Sequence, residues 1–80
     1  MMYSAQLIRT EHANTIRTVL IDRGDTVGIA HEIAKRMGEG PDYAESLIEN
    51  LRYPEPAVEY IDVKDDADGS WLIRIAKIDG

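Results

Sequence analysis

"TIRTVLID", residues 15–22, decides the fold, because it can be read in two ways. As a strand it pairs with "YSAQLIR", residues 3–9, across the polar residues Glu11 to Asn14, and the chain opens with a β-hairpin. As part of a helix from His12 to Arg23 it places Ile16, Val19 and Leu20 on one face. Thr15, Ile16, Thr18, Val19 and Ile21 are all β-branched, which restricts χ1 in a helix and suits a pleated surface. The strand is therefore favoured, and "RGD" at residues 23–25 closes it.

Working outward from there, Asp25 or Thr26 is placed to cap a helix. Val27, Ile29, Ala30, Ile33, Ala34 and Met37 fall on one helical face, with Glu32, Lys35 and Arg36 opposite. Gly38-Glu39-Gly40-Pro41 stops that helix, and a second runs from about Asp42 to Arg52. Its apolar arc is Tyr43, Ala44, Leu47, Ile48 and Leu51, and Asp42, Glu45 and Glu49 share the opposite face. Tyr53-Pro54-Glu55-Pro56 ends it, since a residue before proline avoids the α region.

"AVEYIDV" (57–63) and "SWLIRIAKI" (70–78) then read as a second hairpin around "DDADG". In the last strand Trp71, Ile73 and Ile75 point one way, and Leu72, Ala76 and Ile78 the other. Apolar groups on both sides predict a central strand or an outer face that meets something. The predicted order is β-β-α-α-β-β: one α+β domain over residues 1–80, a small antiparallel sheet with its helices packed on one face.

Composition narrows the chemistry. The 80 residues carry no cysteine and no phenylalanine. That excludes disulfides and thiolate chemistry, and it leaves a thin aliphatic core of the kind that gains from association, so a homodimer is one expectation. The N-terminal MMYSAQLIRT lacks the pattern of a signal peptide, and no stretch approaches the roughly 20 apolar residues of a membrane span. A cytoplasmic chain is expected (the host cytoplasm, if it is phage-encoded).

Catalytic and metal motifs fail when counted. With Gly69 at position 6 of a calcium loop, Lys64 and Ile75 occupy positions 1 and 12, where carboxylates are required. The same stretch reads instead as a hairpin turn in which Gly69 supplies backbone freedom and Trp71 enters the core. The only imidazoles are His12 and His31, and no phosphate loop, paired-His spacing or nucleophile elbow appears. No enzyme, cofactor or metal is expected.

Charge carries more information. The net charge is −6. Residues 1–40 hold five basic and five acidic side chains; residues 41–80 hold four basic and ten acidic, so the whole excess lies in the second half. "EIAKRMGEGPDYAESLIENL" resembles the general bacterial helix-turn-helix pattern, and the last hairpin would then be a wing. Yet DNA affinity comes largely from Lys and Arg, and the supposed recognition helix offers Asp42, Glu45 and Glu49. The supposed wing tip offers Asp65, Asp66 and Asp68. These six carboxylates suit the reverse role, occupancy of a basic nucleic-acid-binding groove on a protein partner through steering and charge-assisted pairs. A solvated surface that aids solubility is the plainer reading of the same residues.

A cysteine-free, acidic chain with paired strands, central helices and a final "GSWLIRIAKI" strand resembles small phage and mobile-element proteins, among them the anti-CRISPR inhibitors. The resemblance lies in layout and includes no diagnostic motif. It implies a stoichiometric inhibitor that binds a CRISPR effector and blocks its access to target DNA. A winged-helix regulator and a bare dimerisation module using the second face of the sheet are the alternatives.

Overall fold

The computed structural model describes residues 1–12 and 15–78, and in it residues 15–22 are strand. The elements in order are β1 (Met2–Glu11), β2 (Thr15–Asp25), α1 (Thr26–Met37), α2 (Pro41–Arg52), β3 (Glu59–Asp66) and β4 (Gly69–Lys77). This is the expected α+β order. Ala13 and Asn14, within the expected β1–β2 loop, lie outside the described residues. The four strands form one antiparallel sheet in the order β2-β1-β4-β3. The two hairpins thus join through β1 and β4, which makes β4 central.

β1 follows the period of two. Tyr3, Ala5, Leu7 and Arg9 are buried, while Ser4, Gln6, Ile8 and Thr10 face the other side. The β1–β4 register sets Ala5 opposite Ile75 and Leu7 opposite Ile73, all at 0–1% exposure. Over this surface lie Ile29, Ile33, Leu47 and Leu51, equally buried. Full burial of each large aliphatic side chain contributes about 1.5–3 kcal/mol, so these positions carry most of the fold's stability. Trp71 packs against the core without being fully enclosed.

β2 departs from strict alternation. Its pairing with β1 shifts between Leu7↔Leu20 and Ile8↔Thr18, so Val19 is the extra residue of a β-bulge. Val19 and Leu20 both reach the core, and the alternation restarts on either side of them. Ile16 and Thr18 consequently share the helix-free face with Ile21 and Arg23.

The ends of the helices have local causes. The Asp25 carboxylate accepts the Gly28 N–H at 2.7 Å, and Gly38 closes α1 in the left-handed conformation at φ 73°. α2 starts with Pro41 in its first turn and has no side-chain cap at Gly40.

Three expected boundaries move. β2 continues through Arg23 to Asp25, because β1 supplies partners as far as Met2. β3 starts at Glu59 rather than Ala57: the Ala57 N–H instead donates to Leu51 O at 2.8 Å, tying the linker to α2. The second hairpin turns on Ala67 and Asp68 alone, so Asp65, Asp66 and Gly69 are strand residues.

Candidate functional site

The six carboxylates singled out by sequence do not form one surface. Asp42 sits exposed in the first turn of α2, where an acid favours the helix dipole. Glu45 and Glu49 follow on the same outward face, both exposed. Among the described residues, no ion pair engages any of the three. Asp42 to Glu49 covers about 10 Å of helix at 1.5 Å per residue. Asp65, opposite Ser70, alternates onto the helix-free face of the sheet, away from α2. Asp68 is exposed at the turn itself.

Asp66 has a different task. Its carboxylate takes two parallel hydrogen bonds from Arg9, at 2.7 and 2.9 Å, and also accepts the N–H groups of Asp68 and Gly69, each at 2.9 Å. The Arg9 pair and then these backbone donors hold the Asp66 carboxyl well below the usual carboxylate range. The same contact raises Arg9 above its ordinary value. Arg9 is only 5% exposed and its guanidinium lies 4.8 Å from the centre of the Trp71 ring. Burial of that cation requires a partner, and Asp66 is that partner. Asp66 therefore anchors the hairpin turn to β1 and offers little charge to a second molecule.

Sequence reasoning missed Arg9. The available signal was its inward parity with Tyr3, Ala5 and Leu7, which marks an arginine on the core side. It also missed a second cluster beneath the start of α2. There the Lys64 ammonium meets the Glu39 carboxylate at 2.6 Å and lies 4.6 Å from the centre of the Tyr43 ring. The Tyr43 hydroxyl is buried without a hydrogen-bond partner among the described residues. Its pKa is pushed up to about 12, by burial first and then by Tyr60, Asp62 and Glu39 nearby. Tyr60 is also raised, again mainly by burial and then by Asp62, to which its hydroxyl donates at 3.3 Å.

These contacts sort the charges of the second half. Lys64 is committed to Glu39, and Arg74 lies 3.5 Å from Glu59. The arginine that reaches over from β1 is committed to Asp66. Two of the four cations of the second half are thus paired within the chain, while Arg52, in the last turn of α2, and Lys77 enter no ion pair among the described residues; Asp42, Glu45 and Glu49 also face solvent. The arrangement supplies a line of carboxylate acceptors on a rigid helix, suited to Arg and Lys donors. Among the described residues, no group of three or more His, Asp or Glu side chains is placed to hold a metal ion. His31 is exposed on α1. No helix among the described residues is long and apolar enough to cross a membrane.

No protein-family model, curated protein or solved structure matches the chain.

Proposed function

We propose that this chain is a non-enzymatic binding protein whose acidic α2 face occupies a basic, nucleic-acid-binding surface of a partner. In its most specific form, the partner is a CRISPR effector, and the chain acts as the anti-CRISPR proteins that it resembles in layout do. The single observation that carries the reading is the exposed line of Asp42, Glu45 and Glu49 on α2, without an ion pair among the described residues. Such a line steers toward a positive groove and competes there with phosphates for the same donors. Asp68, exposed at the hairpin turn, lies outside this line. Asp66, bound to Arg9, is no longer a contact residue, and Asp65 belongs to the other side of the sheet.

The test is competition. Purified effector complexes are loaded with a labelled target duplex, and release is followed as the pure chain is added, at two salt concentrations. Near-stoichiometric loss of duplex binding is expected, relieved by the triple variant D42K/E45K/E49K. The inhibition weakens as salt rises. Full duplex binding at tenfold excess of the chain, across the effectors tried, refutes the CRISPR assignment. Inhibition that survives the triple reversal refutes the α2 surface.

A further inference from the structure

Both helices cover one face of the sheet, and the other face is open. Across its four strands it presents four rows of side chains, set by the strand registers. From β2 to β3 they read Arg23-Ser4-Ala76-Glu59, Ile21-Gln6-Arg74-Ile61, Thr18-Ile8-Leu72-Val63 and Ile16-Thr10-Ser70-Asp65. Ile16, Ile21, Ile61 and Val63 are 54–71% exposed. These are large aliphatic groups in an ordered sheet, and the β2 bulge is what brings Ile16 and Ile21 onto one side.

The charges of this face differ from those of the rest of the chain. Within these four rows Arg23 and Arg74 balance Glu59 and Asp65, on a protein of net charge −6, and Arg74 lies 3.5 Å from Glu59 of its own chain. Its charges are also arranged by side: Arg23 on edge strand β2, Glu59 and Asp65 on edge strand β3. A two-fold axis parallel to the strands, between β1 and β4, sets β2 of one copy over β3 of the other and keeps each row over itself. Arg23 then meets Glu59 of the second copy, Ile21 meets Ile61, Gln6 meets Arg74, and Ile8 meets Leu72. An axis perpendicular to the strands instead stacks Glu59 near Asp65, like charge on like. The first arrangement sets Arg23 against Glu59 and avoids like charges face to face, and it places Ile16 over Asp65 of the second copy.

We infer that this face is the interface of a two-fold homodimer, a sheet-on-sheet sandwich with Arg23 of each copy paired to Glu59 of the other. The aligned packing of two twisted sheets about 10 Å apart is a standard solution for such faces. Four strands at about 4.8 Å spacing and four rows at about 6.8 Å give roughly 500 Å² of flat area per copy before side-chain relief is counted. That approaches the about 800 Å² per partner of a standard specific interface. The inference is independent of the role proposed for α2, because both α2 surfaces remain on the outside of the sandwich.

The test uses the full chain in sedimentation velocity, with far-ultraviolet circular dichroism confirming that each variant is folded. The wild type is expected to be dimeric at concentrations of order 100 µM, and I21E monomeric there. R23E and E59R should each weaken self-association at least tenfold, since each sets like charges face to face at both ends. Mixed in equal amounts, the two single variants should recover a heterodimer. One end of its interface then carries the native pair and the other the same pair with its charges exchanged, so both ends are again of opposite sign. That recovery has no explanation in a purely structural role for either residue. A monomeric wild type overturns the inference, as it would if another macromolecule covered this face. So does a dimer indifferent to R23E and E59R, or a mixture that stays monomeric. If I21E does not fold, the two charge variants and their mixture decide alone.

Discussion

Replacing Gly69 with alanine tests the account of the second hairpin. Gly69 begins β4 opposite Glu11 of β1, at the end of the pairing that joins the two hairpins. A methyl group there points into the β1 backbone. It would overlap the Thr10 carbonyl oxygen and crowd the Glu11 Cα at 2.9 Å. Neither neighbour is a flexible side-chain end, so the strands must part locally. Overpacking of this kind costs about 1–3 kcal/mol, and loss of a ladder hydrogen bond at the parted end adds about 1 kcal/mol. The working figure is about 3 kcal/mol, a large share of the roughly 4–12 kcal/mol expected for a domain of this size. It corresponds to a fall in Tm of about 12–24 °C. Thermal unfolding followed by circular dichroism, with Trp71 fluorescence as a second probe, measures it. Gly40 supplies the control: a methyl group there meets nothing within 4 Å, and its φ is −86°. Gly40→Ala should shift Tm by less than about 4 °C. A Gly69→Ala protein as stable as the Gly40→Ala protein refutes the close approach of β1 to the turn.

Two further outcomes follow from the charged and polar clusters. The Asp66 pKa is depressed in the folded protein, so its contribution to stability is complete above the unfolded carboxyl pKa of about 4 and is lost as pH falls below it. Asp66→Asn should therefore be the less stable protein at neutral pH, and the gap should narrow steadily in denaturant titrations between about pH 5 and pH 2; a gap that stays constant over that range contradicts the Arg9–Asp66 anchor. Tyr43→Phe removes a buried hydroxyl that has no partner among the described residues, so the variant should be as stable as the wild type or more so, by up to about 1 kcal/mol in urea unfolding. It should also abolish a tyrosinate absorbance step near pH 12.

Most of the architecture was legible because its causes are local. The β-branched run at 15–21, the helical spacing of Ile29, Ile33, Leu47 and Leu51, and the Gly-Pro breaks each act within a few residues. They gave the α+β order without reference to distant parts of the chain. The apolar groups on both sides of the last strand likewise predicted its central place. The candidate site was less legible. Exposure of Asp42, Glu45 and Glu49 follows from the helical period alone, and the structure keeps them on one outward face. Nothing in "VKDDADGSW" marks Asp66 as different from its neighbours, because its difference lies in Arg9, 57 residues away.

The sequence by itself thus determined the order of strands and helices and which helix face is acidic, while three of the element boundaries were set by pairing between segments. The tertiary structure decided what depends on pairing between remote segments. The β1–β4 register carries Arg9 under Trp71 and commits Asp66 to it, removing one carboxylate from the acidic surface. The same pairing brings the β1 backbone against Gly69, so that glycine is required there for space as well as for its positive φ of 158°. The bulge at Val19 resets the alternation of β2 and turns Ile16 toward the side of Ile21. Periodicity fixes only the facing of residues within an unbroken strand; a single added residue, imposed by the partner strand, reverses it.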